Sequence, residues 1–255
     1  MKPRLAEVLK DVVKHTNDTD RIEAVKITNN KKETTIDAMD EMRTMVLKGK
    51  LKKPLKELPQ GDIGLGRLKV LKGYLNTDVE KIEHGTVKST GMSTNGELVS
   101  SINFTTTDGM KASYIPMTPA MIDDQLKQIK FKGVAWDVVV APFDSAIKQL
   151  TDIDNLLGKT EPCFQPYVKD KNLYLKIGEG ANDKAEILFD TGVAGKLDAK
   201  WGWPTKELLK ILNLAERNED GQLQAVMKFS SLGAMQIDIS TDHADYSYIM
   251  PARSF

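Results

Sequence analysis

The chain has 255 residues, of which 40% are hydrophobic and 28% charged, and its 36 basic and 36 acidic side chains cancel to a net charge of +0. This composition excludes a disordered chain and a general polycation, and the length suits two domains of ordinary size. No run approaches 18 apolar residues and the start MKPRLAEVLK lacks an apolar signal segment, so a soluble cytoplasmic protein with no membrane partner is expected.

Leu5, Val8, Leu9, Val12 and Val13 follow helical spacing and predict a first helix over 4–14 with one buried face. Strands are predicted over 21–28, 34–38 and 42–47, followed by an exposed basic loop over 48–56. After Gly61 a second helix over 66–75 carries Leu68, Leu71 and Leu75, and strands follow over 79–83, 98–105 and 110–116. Residues 117–133 read as a connector. Beyond it the order recurs: a strand over 136–141, a helix over 143–150, strands over 166–168, 173–177 and 186–189, a helix over 204–217 opened by Pro204, and strands over 223–229, 235–240 and 246–250.

A gapped motif ties the halves together. Thr107-Asp108, four residues, then Ser113-Tyr114-Ile115 returns in register as Thr241-Asp242, four residues, then Ser247-Tyr248-Ile249. A chain that uses one half twice is expected to fold as two similar α+β domains, each with two helices against antiparallel strands.

Over the predicted helices 4–14, 66–75, 143–150 and 204–217, ten basic residues (Arg4, Lys10, Lys14, Arg67, Lys69, Lys72, Lys148, Lys206, Lys210 and Arg217) stand against Glu7, Asp11, Asp144, Glu207 and Glu216. If the helices share one side, that side is positive and suits a polyanion; the plainer account is the helix propensity and solubility of lysine. No helix-turn-helix, zinc-ligand spacing or aromatic RNA motif accompanies the charge, so a nucleic acid would be held by its phosphates, independently of sequence. Gly61, Gly64 and Gly66 lack the context of a nucleotide loop and read as a tight turn into the second helix. His15, His84 and His243 are scattered beside the single Cys163, so no metal, cofactor or catalytic residue is assigned, and Cys163 reads as core. Trp201 and Trp203 read as packing.

Several segments in this order resemble the sliding DNA clamps of the proliferating cell nuclear antigen and T-even phage type. They are Ala38-Met39-Asp40 with the strand over 42–47, the run 62–72 at the second helix, Trp136-Asp137-Val138-Val139-Val140-Ala141-Pro142, and the terminal Tyr246-Ser247-Tyr248-Ile249-Met250-Pro251-Ala252. The resemblance covers most of the chain, while 48–59 and 85–96 are unmatched; the missing acidic tail leans towards a viral, phage-type protein in the host cytoplasm. It implies an N-terminal clamp domain over 1–117, a connector over 118–134 and a C-terminal clamp domain over 135–255. It also implies a homotrimeric ring of six domains, with the helices lining a hole for double-stranded DNA. A DNA polymerase and a clamp-loader ATPase are the implied partners, and no chemistry is implied. Residues 110–116 would pair with about 184–189 of the next chain, and Met39, Met45, Met121, Ile122, Met250, Pro251 and Ala252 would form a groove for partner peptides. The alternatives are a two-domain α+β enzyme using Cys163 or an acidic pair, and a monomeric viral processivity factor.

Overall fold

The computed structural model describes residues 4–30, 32–88, 97–126, 133–219 and 223–254; residues 89–96 of the unmatched 85–96 segment and 127–132 of the connector lie outside the described residues. The chain divides into two compact units, Met1–Lys130 with Asp242–Tyr246, and Phe131–Thr241 with Ser247–Phe255. Among the described residues no helix is long and apolar enough to cross a membrane.

In the first unit, α1 (Arg4–Asn17) buries the predicted stripe, with Leu9 and Val12 fully inaccessible. Four antiparallel strands follow, β1 (Val25–Asn29), β2 (Thr34–Met39), β3 (Val46–Leu51) and β4 (Gly61–Leu65), in the order β4-β1-β2-β3. Their alternating burial gives each strand one core face, as with Val25 and Ile27 on β1 and Ile36 and Ala38 on β2. Next come α2 (Leu68–Leu75) and a three-stranded sheet of β5 (Val79–Lys88), β6 (Glu97–Thr106) and β7 (Lys111–Tyr114), then α3 (Pro119–Leu126).

The second unit opens with β8 (Val138–Val140) and α4 (Asp144–Leu157). It continues with β9 (Cys163–Lys169), β10 (Asn172–Ile177), β11 (Ala185–Thr191), β12 (Trp201–Pro204) and α5 (Thr205–Leu212). The chain finishes with β13 (Ala225–Ser230), β14 (Ala234–Ser240), β15 (Ala244–Pro251) and β16 (Arg253–Ser254). One sheet has the order β11-β10-β9-β12-β16, and β14, β13 and β8 are neighbours in the other. Residues 244–246 of β15 count with the first unit and 247–251 with the second.

The duplication inferred from the motif is present in the topology. The order β4-β1-β2-β3 recurs as β12-β9-β10-β11, a helix precedes and follows each set, and the second helix of each half leads into three neighbouring strands, β5-β6-β7 and β13-β14-β15. Both copies of Thr-Asp lie in the turn before the last of those strands, and the tyrosines that follow, Tyr114 and Tyr248, are both buried.

Several boundaries differ from the sequence reading. The strand expected over 42–47 starts at Val46, because the Asp40 carboxylate folds the preceding residues into a turn. Its Oδ1 accepts the Met45 amide at 2.7 Å, its Oδ2 accepts the Thr44 hydroxyl at 2.7 Å, and Arg43 takes a positive φ of 57°. Lys48 and Lys50, expected in a loop, lie on β3 and pair with Asp37 and Glu33. The glycine run is not a turn: Gly61 to Leu65 pair with β1 as β4, and a Cβ at Gly64 would lie 2.8 Å from the Ile122 Cβ and 2.9 Å from the Met117 Cβ. Gly64 thus opens the sheet face on which α3 lies. α4 runs seven residues beyond the expected end at 150, and α5 ends at Leu212 instead of 217. Trp203 is a strand residue with its ring in the core against Phe164 and Phe229, and its Nε1 donates to the Met250 carbonyl at 3.1 Å. Pro204 caps α5 from β12 instead of starting it.

One buried polar cluster supports the first unit. The fully buried His15 ring stacks on Tyr246 at 4.1 Å, and the Tyr246 hydroxyl donates to Asp11 Oδ2 at 2.8 Å. Burial, with a smaller contribution from Lys14, lowers the His15 pKa to about 3, so the ring is neutral at pH 7.

Candidate nucleic-acid interface, sheet edges and partner surface

The helix boundaries redistribute the charge read from the sequence. α1, α2 and α5 carry seven basic residues against Glu7, Asp11 and Glu207, whereas α4 carries Lys148 against Asp144, Asp152 and Asp154. The four helices therefore hold eight basic residues against six acidic ones, a smaller excess than ten against five. The difference arises because α4 extends through two more aspartates and because Arg67 and Arg217 lie outside the helices.

Of the ten expected contact residues, Lys10, Lys69, Lys148 and Lys206 are exposed and make no ion pair among the described residues. Lys14 and Lys210 are half-buried on α1 and α5. Lys72 pairs with Asp18 at 2.5 Å, and Arg217, in a bridge with Leu223, pairs with Asp144. Arg4 pairs with Glu57 at 3.2 Å and donates to the carbonyls of Lys53 and Pro54. Arg67 adopts a left-handed conformation (φ 45°) ahead of α2, with its guanidinium 5.7 Å from the Tyr114 ring centroid and donating to the Ile115 carbonyl at 3.2 Å. These partners hold Arg4, Arg67, Lys72 and Arg217 in place, and a phosphate would have to compete for them.

The sheet edges are specific. In the first unit β3 is bordered by the start of β15, where the Lys52 amide donates to the His243 carbonyl at 2.9 Å. The counterparts of β3 and β15 in the duplication are β11 and β7, and each of these ends its sheet. Because the Thr106 amide donates to the Met110 carbonyl, alternation turns the backbone groups of Ala112 and Tyr114 towards β6 and those of Lys111 and Ser113 outwards.

The expected groove residues fall into two groups. Met45, Ile122 and Met250 are buried and support the surface; Met121 and Pro251 are exposed, and Met39 and Ala252 are half-buried. α3 is seated by Ile122 and by Lys26, whose ammonium lies 2.6 Å from Asp123 and 2.8 Å from Asp62. Burial works against the Lys26 charge, but the hydrogen bonds and charges of the two carboxylates outweigh it and raise the pKa. Beside α3 the first unit has a cavity of about 670 Å³ lined by Ile22, Leu68, Val70, Ile115, Met117 and Met121 among others. A second, of about 270 Å³, is lined by Met39, Asp40, Arg43 and Gln125 among others. Met121 borders the first of these cavities and Met39 the second, while the place of Gly64 beneath α3 had no signal in the sequence beyond the glycine spacing.

The Cys163 thiol is pushed up chiefly by burial, against the direction that activates a nucleophile. Among the described residues no group of three or more His, Cys, Asp or Glu could hold a metal ion.

Comparison with solved structures decides the fold. The chain aligns with PCNA from Thermococcus kodakaraensis over 97% of both chains at a TM-score of 0.68 and 13% identity. It has the sliding-clamp fold. The clamp protein of Entamoeba histolytica aligns at a TM-score of 0.67 and 12% identity over 97% of this chain and 96% of that one. The PCNA of A. fulgidus, solved with the C-terminal region of FEN-1, aligns at 0.69 and 11% over 98% and 96%. No protein-family model and no curated protein matches the chain. The clamp fold thus extends over nearly the whole chain with few shared residues.

Proposed function

We propose that three copies of this chain close into a ring of six similar units around double-stranded DNA, tethering a DNA polymerase without catalysing a reaction. The observation that carries this reading is the pair of open strands: β7 and β11 are the counterparts of β15 and β3, and both end their sheets. Laying β11 of one copy on β7 of the next repeats the β3 and β15 pairing and removes both edges, which are otherwise liabilities for aggregation. The exposed Lys10, Lys69 and Lys206 supply phosphate attraction with no fixed register, which permits sliding. A clamp-loader ATPase would open the ring.

Partner proteins would dock short apolar peptides on the surface of the first unit that includes Met39 and Met121. A. fulgidus PCNA, solved with the C-terminal region of FEN-1, is the likeness that supports peptide docking. The test is topological. After loading, the protein should co-elute with a nicked circular plasmid and be lost when the circle is linearised. Equal retention on both would refute encirclement.

A further inference from the structure

We propose that the loop between β3 and β4 is a preformed phosphate-contact platform, with Lys52, Lys53 and Lys56 as a second duplex-DNA contact beside the helix face. The inference rests on the DNA reading above and extends it to a segment that the clamp resemblance leaves unmatched.

Three observations carry it. First, the lysines of this region divide sharply: Lys48 and Lys50 on β3 are paired with carboxylates, whereas Lys52, Lys53 and Lys56 are exposed and make no ion pair among the described residues. The carboxylate of the loop itself, Glu57, is taken by Arg4.

Second, the loop is held from beneath. Asn29 Nδ2 lies within 2.9–3.1 Å of the carbonyls of Leu55, Leu58 and Pro59, while its Oδ1 accepts the Thr34 hydroxyl at 2.7 Å. Thr34 Oγ1 in turn accepts the Leu55 amide at 3.0 Å, and Leu55 and Leu58 are buried. A backbone fixed in this way has little conformational entropy left to lose on binding.

Third, the loop is tied to the start of α1. Arg4, the first residue of that helix, donates to the carbonyls of Lys53 and Pro54, so the loop backbone lies against the first turn of the helix that carries Lys10. From Lys52 to Lys56 the chain spans at most about 14 Å, a length over which duplex DNA presents about eight phosphates. The smaller helical excess found above leaves a role for cations supplied by a loop.

The test compares the intact protein with the triple variant Lys52→Gln, Lys53→Gln, Lys56→Gln, using anisotropy of a labelled duplex at increasing salt. Loss of three phosphate contacts lowers the salt slope by up to about 2.7, so that between 50 and 200 mM salt the parent loses about 40-fold more affinity than the variant. The triple Lys→Arg variant keeps the parent slope. A parent-like slope in the glutamine variant overturns the inference. A second variant, Lys10→Gln, Lys69→Gln, Lys206→Gln, separates the two readings. If it loses slope and the loop variant does not, the platform fails and the helix-face contact stands; if neither loses slope, both fail. A loop variant with parent-like DNA binding but reduced polymerase stimulation also overturns the inference, because the loop would then face a protein.

Discussion

Replacing Ile122 by alanine should undock α3 while leaving both units folded. Ile122 is fully buried although its helix, α3, has only eight residues and otherwise exposes most of its surface. Deleting a buried isoleucine side chain to alanine costs about 2–5 kcal/mol. The ion pair from Lys26 to Asp123 adds little, because Asp123 is 57% exposed and such pairs contribute about 0–1 kcal/mol. A loss of even about 2 kcal/mol raises the open population about 30-fold. Hydrogen exchange followed by mass spectrometry should show the amides of 118–126 exchanging faster by that factor or more, with those of β1 and β2 unchanged. Asp123→Asn should change the same amides by about fivefold at most. Gly64→Ala should reproduce the isoleucine effect, since the new methyl meets the Ile122 side chain from below. Parent-like exchange over 118–126 in Ile122→Ala would refute the reasoning, and so would a matching acceleration in β1.

Ser113→Pro removes an amide directed to the open side of β7 without touching the ladder to β6, so light scattering should fall from three times the 28.4 kDa chain mass to one, with circular dichroism unchanged. A persistent trimer would place the joint elsewhere. For His15 the sign follows from its lowered pKa: between the ordinary value of 6.5 and about 3 the unfolded chain binds a proton that the folded chain does not. Its contribution is therefore fully present above pH 6.5 and lost as pH falls, by up to about 1.4 kcal/mol per unit. Urea melts at pH 7, 6 and 5 should show a shallower decline for His15→Phe, whose ring retains the stack on Tyr246; an identical decline would assign the acid sensitivity to other groups. Met39→Asp with Met121→Asp should weaken a bound partner peptide by tenfold or more in calorimetry while the mass stays unchanged, and parent-like affinity would move the docking surface to another face.

Local periodicity and repetition were legible in the sequence because they depend on neighbours along the chain. The spacing of Leu5, Val8, Leu9, Val12 and Val13 determined α1, and the two in-register copies of Thr-Asp and Ser-Tyr-Ile identified the duplication. What the sequence concealed depends on partners distant in the chain. Gly61 to Leu65 become a strand because β1 offers a ladder and α3 requires a face without side chains at Gly64. The wide separation of Lys48 and Lys50 from Lys52, Lys53 and Lys56 in chemical state comes from carboxylates on β2 and the β1–β2 turn, which a charge count along the chain cannot register. Composition fixed neither the end of α4 nor the fate of Arg67, since helix propensity is weak beside tertiary packing and Arg67 is held in its left-handed conformation by Tyr114 and the Ile115 carbonyl. The open edges β7 and β11 are likewise a property of pairing: a strand's sequence gives its buried face, but only the assembled sheet decides which strand is left with backbone groups unclaimed.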